Sequence, residues 1–185
     1  SSQQICVLFD SIMRGYPIST FMMWDVKDDE IKNNYMFYKF LMSYCQRFGE
    51  DNPHVPTNAS YKNFKAIIDG QQRLTSLYIG LCGTYAYKQP RIWWPSSRDD
   101  VSLPPRKLYL DLMQPMKSDD DESMMRYNFK FLTDKQYQES CNSEKKVHHW
   151  FCMHKILKMP QVDSATHVFK KIVRPYLEAE GLAEN

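Results

Sequence analysis

Apolar positions change rhythm several times in the first third of the chain. Ile5, Leu8, Phe9, Ile12 and Met13 recur at helical spacing, and Gly15 followed by Pro17 ends the run, so a first amphipathic helix is predicted there. PISTFMMWDV is β-branched and aromatic after a turn and predicts a strand that gives way at the acidic DVKDDE. From Glu30 to Phe48 a longer helix is predicted, with Tyr35, Tyr38, Leu41, Met42 and Cys45 on one side. GEDNPHVPTNAS is rich in breakers and predicts a loop. FKAIID is a compact apolar strand, and beyond Gly70 the residues Leu74, Leu77, Tyr78 and Leu81 fall on one helical face. The stretch Phe64–Gly80 therefore reads as strand, tight glycine turn and helix.

KQPRIWWPSSRDDVSLPP reads as an irregular insertion, RKLYLDL and RYNFKFL as strands, SDDDES as a solvated loop, and Asp134–Ser140 and Ala165–Glu178 as helices. The elements predict an α+β fold, a small mixed sheet with flanking helices extended by a partly helical second half. Division into a core over 1–106 and an extension over 107–185, packed on that core, is expected. With 185 residues, 43% of them hydrophobic, the chain can bury one sizeable core. Its 24 Lys and Arg against 22 Asp and Glu give no uniform field to attract nucleic acid, so any DNA contact needs a local patch or another part of the protein. Five scattered cysteines fit a reduced interior better than a disulfide framework. No signal peptide is evident and no apolar run approaches the roughly 18 residues of a membrane helix, so a cytoplasmic location is expected.

The turn at Asp69–Arg73 carries the chemistry. A strand ending at Asp69 and a helix starting near Gln71 bring backbone N–H groups and the positive end of a helix dipole to one spot, which suits an anion. Gly70 lets a phosphate approach the backbone, and Arg73 offers a planar fork for two phosphate oxygens. Gln71 and Gln72 can orient a phosphate, a water or a base edge. Asp69 can cap the helix or hold a divalent cation such as Mg²⁺ that bridges phosphates. An ordinary capped helix whose polar first turn faces water is the alternative.

IIDGQQRLTSL resembles the DGQQR signature of the N-terminal domain of GmrSD-type restriction endonucleases, a group with the ParB and sulfiredoxin-like fold. LFDSIMRGYPISTFMMW is similar to the helix, turn and strand that precede it in that family, and KLYLDL and YNFKFL to later strands. The resemblance implies ParB and sulfiredoxin-like strand order. It also implies binding, often with hydrolysis, of a nucleoside triphosphate (GTP, CTP, UTP or ATP), in regulation of an HNH nuclease that cuts foreign or modified phage DNA. It carries Asp69, Gln71, Gln72 and Arg73 over as catalytic residues, Gly70, Arg73, Arg14 and Tyr16 as nucleotide-binding residues and Asp69 as the metal residue. Arg14, Tyr16 and Pro17 match the second motif, whose turn is expected beside the site. Asp10 also matches. The family's strand with a Gln-Arg-x-Tyr-x-Trp-like pattern is expected ahead of SSQQICVLF, and the nuclease that contacts DNA beyond Asn185, so the chain reads as a piece of a longer protein. A nucleotide-sensing or DNA-interaction module without hydrolysis, a degenerate scaffold with an empty site, and a homodimer stay open.

Other constellations carry less. Cys141, His148, His149, Cys152 and His154 crowd together, but their spacing matches no closed zinc pattern, and surface histidines on a half-buried element are expected. Trp93 and Trp94, flanked by Arg91 and Arg98, are expected to fold back over the core, with stacking on bases as the alternative. The eleven methionines are expected mainly as core filling. Asp119, Asp120, Asp121 and Glu122 read as a solvated run.

Overall fold

A computed structural model describes residues 1–48, 54–58, 60–91, 93–97, 101–114, 125–143, 147–159, 169–179 and 181. The fold is α+β, as the patterning predicts. Helix α1 (Ser2–Met13) starts from a capping box between Ser1 and Gln4 and buries Ile5, Cys6, Phe9 and Asp10. Strand β1 (Met22–Val26) pairs antiparallel with β5 (Phe64–Asp69) in a two-stranded sheet. Gly70 then turns the chain into α3 (Gln71–Leu81), so the predicted strand, turn and helix stand where the sequence puts them.

The second sheet is the core. Strand β3 (Tyr44–Cys45) runs parallel to β6 (Tyr85–Ala86), and β6 is antiparallel to β7 (Pro105–Asp111), which also pairs antiparallel with β8 (Phe129–Leu132) and β9 (Trp150–Cys152). Helix α1 packs against α3 and β8, and α3 against β7. Close approach of the two helices depends on Gly80, where a Cβ would fall 2.4 Å from the Phe9 ring. Leu108 of β7 is fully buried, and Phe9 meets Phe129 at 5.8 Å. Burying these side chains is the main favourable term in the fold.

Two elements differ from expectation. The helix expected over Glu30–Phe48 is only α2 (Asp29–Asn34), capped by Asp28, whose carboxylate accepts from the Glu30 and Ile31 amides. At Tyr35 the chain becomes extended, and Phe37 of β2 (Phe37–Tyr38) packs edge-on to Phe64 at 4.8 Å. Tyr35 and Phe37 find ring partners on the first sheet and Phe40 finds Tyr78 of α3, and those contacts override the helical spacing. Part of the loop expected after Phe48 is β4 (His54–Val55), which pairs with β2; residues 49–53 lie outside the described residues, as do the acidic run 118–123, Arg98 and the start of the helix expected from Ala165.

The chain divides into two compact units, 1–154 and 155–185. The boundary expected between 106 and 107 falls inside β7. In the second unit a π-helical turn (Phe169–Val173) leads into a short helix (Arg174–Ala179), where Arg174 pairs with Glu178 at 2.8 Å. Among the described residues no helix is long and apolar enough to cross a membrane.

Candidate functional site

Gly70 sits at φ +81° and ψ 11°, the left-handed conformation that costs other residues most, and it is the N-cap of α3. No side chain caps this helix. Asp69, expected as a cap or a metal residue, does not cap. It reaches forward to Arg73 at 3.5 Å, with its own side chain 68% exposed. The first intrahelical bond runs from the Leu74 amide to the Gly70 carbonyl, so the amides of the first turn have no acceptor within the helix. Just upstream the β1–β5 register shifts: Met22 faces Asp69 while Met23 faces Ile67, which leaves Ile68 as the extra residue of a bulge. Bulges of this kind bend a strand and re-aim its last side chains.

Arg73 anchors the turn. Its guanidinium donates to the Ile18 carbonyl and stands 5.4 Å over the Phe21 ring. The RGYPI motif is thereby held against DGQQR through Ile18. Gln71 donates to the Ile67 carbonyl at 2.8 Å, across the turn.

A groove of about 690 Å³ runs between α1 and α3. Gln71, Gln72 and Arg73 line it, with Ser11, Thr75 and Ser76 among the hydroxyls nearby. Among the described residues its lining has no carboxylate, and Arg73 is the one charged side chain there. Such a lining favours an anionic guest. At one end Tyr44 and Tyr85 pack at 4.5 Å, and burial together with the Tyr44 neighbour pushes the Tyr85 hydroxyl up to about 12.

Not all sequence-predicted residues meet here. Asp69 and Gly70 adjoin the groove through Arg73 without lining it. Arg14 and Tyr16 stand apart from its lining: Arg14 donates to the Tyr16 hydroxyl at 2.6 Å and pairs with Asp10 at 3.4 Å. Asp10 is buried and accepts the amides of Arg126 and Tyr127, both at 2.8 Å, so it ties α1 to the approach to β8.

Elsewhere, buried Asp111 accepts from His148 Nδ1 at 2.5 Å, from Asn128 and from the amides of Met113 and His149. This carboxylate had no signal in the sequence. Among the described residues no group of three His, Cys, Asp or Glu is placed to hold a metal ion. Trp93 is 93% exposed, contrary to the expectation that it folds over the core, while Trp94 lies 5.6 Å from both Arg47 and Lys88. Met22, Met23, Met36 and Met42 are at least half exposed, so core filling does not account for them.

The fold and turn define an α+β domain built around a glycine turn that opens a helix onto an acid-free groove. Residues 1–174 match the family described as GmrSD restriction endonuclease, N-terminal domain, and the chain belongs to that family. No curated protein matches the chain.

Proposed function

We propose that this domain binds a nucleoside triphosphate, and hydrolyses it, as the regulatory part of a restriction endonuclease acting on foreign or modified DNA. The observation that carries the reading is the left-handed, side-chain-uncapped Gly70 turn, which starts α3 at the wall of a groove lined by Gln71, Gln72 and Arg73 and by no carboxylate among the described residues. Helix amides and an arginine fork are the groups that hold phosphates. Asp69 would serve as a carboxylate for Mg²⁺, since that ion commonly takes one or two carboxylates and completes its shell with phosphate oxygens and water. Gln71 and Gln72 would orient the attacking water, so the protein's contribution is positioning and charge neutralisation. Arg14 and Tyr16 would act from outside the groove, by fixing the connection that Arg73 grips.

One observation favours a second reading, a sensor that binds without hydrolysis. Arg73 is already engaged by Ile18 and Asp69, so a phosphate that takes those same N–H groups would loosen the α1–β1 connection on binding. Titration calorimetry with GTP, CTP, UTP and ATP plus Mg²⁺ tests both readings. Binding is expected to weaken at least tenfold in Gln72→Ala and Arg73→Ala. Absence of binding to every nucleotide overturns the proposal, and binding with no phosphate release selects the sensor.

A further inference from the structure

A second cavity, about 450 Å³, shares Leu41, Gln71 and Thr75 with the groove, so one elongated ligand can occupy both. Its walls are Trp24 of β1, Phe64–Ile68 along β5 and the segment 35–41. We propose that this aromatic cleft receives the base of a nucleotide whose phosphates lie in the α1–α3 groove, an inference that rests on the phosphate reading above.

Four features support a base rather than an ordinary apolar packing face. The rings meet mostly edge to face, Trp24 with Tyr35 at 6.2 Å and 83° and Phe37 with Phe64 at 4.8 Å and 83°, an arrangement in which each pair covers a face of one ring and leaves the faces of the other to a further partner. Tyr35 and Tyr38 are more than half exposed beside them, and exposed aromatic faces stack on bases of any sequence. Among the described residues Lys39 and Lys65 are the cleft's charged side chains and, as in the groove, no carboxylate lines it, so the whole track suits an anionic ligand. Strand β5 pairs only with β1 among the described residues, leaving its other edge of N–H and C=O groups to read the polar rim of a base. The cleft's size falls in the ordinary range of small-ligand sites. The competing place for a base is the Tyr44–Tyr85 pair in the groove itself. Those two rings lie 4.5 Å apart at 30°, so they cover one another.

The test compares each nucleoside triphosphate with inorganic tripolyphosphate on the 185-residue chain, by calorimetry in Mg²⁺, for wild type, Tyr35→Ala, Tyr38→Ala and Tyr44→Leu. At least one nucleotide is expected to bind tenfold or more tightly than tripolyphosphate. Tyr35→Ala and Tyr38→Ala should erase that advantage while tripolyphosphate affinity and thermal midpoint hold, and Tyr44→Leu should keep it. Trp24→Phe should remove a fluorescence quench seen with nucleotide and not with tripolyphosphate. Equal binding of nucleotide and tripolyphosphate overturns the base site while leaving the phosphate site intact. An advantage lost in Tyr44→Leu alone moves the base into the groove and overturns the inference. Concentration-dependent association abolished by Tyr38→Ala, without any base effect, assigns the cleft to a second copy of the chain and overturns it too. Failure of both ligands removes the phosphate reading and this inference with it.

Discussion

Replacing Gly70 with alanine tests the turn on which the site depends. At φ +81° an alanine pays about 1–2 kcal/mol for the left-handed backbone alone. Its Cβ would also fall 2.7 Å from Phe21 Cδ1 and 3.4 Å from an Arg73 nitrogen, so the ring must move from beneath the guanidinium. Forcing a ring aside in a packed site adds about 1 kcal/mol or more, which brings the total to roughly 2–3 kcal/mol. For a chain of 185 residues that is a fall in thermal midpoint of about 4–12 °C. Gly15→Ala supplies the control, because Gly15 has a similar φ of +74° and nothing within 4 Å of its Cβ position. It should cost only the backbone part, about 1–2 kcal/mol. Urea titrations of Gly70→Ala, Gly15→Ala, Phe21→Leu and the Gly70→Ala/Phe21→Leu pair read the difference directly, and the smaller leucine should restore part of the loss in a double-mutant cycle. Equal destabilisation at the two glycines, or no coupling to Phe21, would refute the assignment of Phe21 as the side chain that packs the turn.

Asp10→Ala should destabilise by about 3 kcal/mol, because two amides from another element lose a charged acceptor, whereas Asp10→Asn keeps Oδ1 and should cost less; equal urea midpoints would contradict this. Burial pushes the Cys6 thiol up to about 12 from 9.0, the Tyr85 hydroxyl to about 12 from 10.0 and the Tyr109 hydroxyl further. These folded-state values lie above the unfolded ones, so their stabilisation is complete below about pH 9 and is lost as pH rises through the folded range; a flat denaturation profile from pH 8 to 11 would exclude it. Cys6→Ala should remove the earliest part of that decline. With a thiol reagent at pH 8, exposed Cys82 and Cys141 should react quickly and buried Cys6 and Cys45 only on unfolding, as mass spectrometry of the labelled peptides would report.

Local signals made the turn legible and hid its surroundings. Phe64–Leu81 could be read because a short apolar strand, an obligate glycine and a helical stripe agree with one another. Tyr35–Cys45 misled because its aromatic residues satisfy helical spacing by chance, while their partners, Trp24, Phe64, Tyr78 and Tyr85, lie on other elements. The same long-range pairing explains the methionines: the first sheet has two strands and leaves Met22 and Met23 at least half exposed. Asp10 and Asp111 look like ordinary acids in the sequence, and only the fold shows that each gathers donors across more than 100 or about 37 residues. The size of its apolar ring predicts Trp93 over the core, and in the fold it is 93% exposed on the irregular insertion.

Arg73 links what the sequence showed as two separate motifs. Read locally, it is a first-turn arginine ready for phosphate; in the fold its fork is shared between the Ile18 carbonyl and Asp69, with Phe21 beneath it. Phosphate oxygens placed in the groove would offer that fork two charged acceptors in place of one neutral carbonyl and one largely exposed carboxylate, and charge-assisted bonds to arginine are the stronger. Any gain there is drawn from the tether on 14–21, the connection between α1 and β1. A ligand that takes Arg73 therefore shifts the balance between a held and a released α1–β1 connection, and the size of that shift is limited by the difference in its affinity for the two. A helix that offered its arginine unbound would hold phosphate without passing on any sign of it, so on the proposed reading the occupied fork would let this turn report a bound phosphate to the rest of the domain.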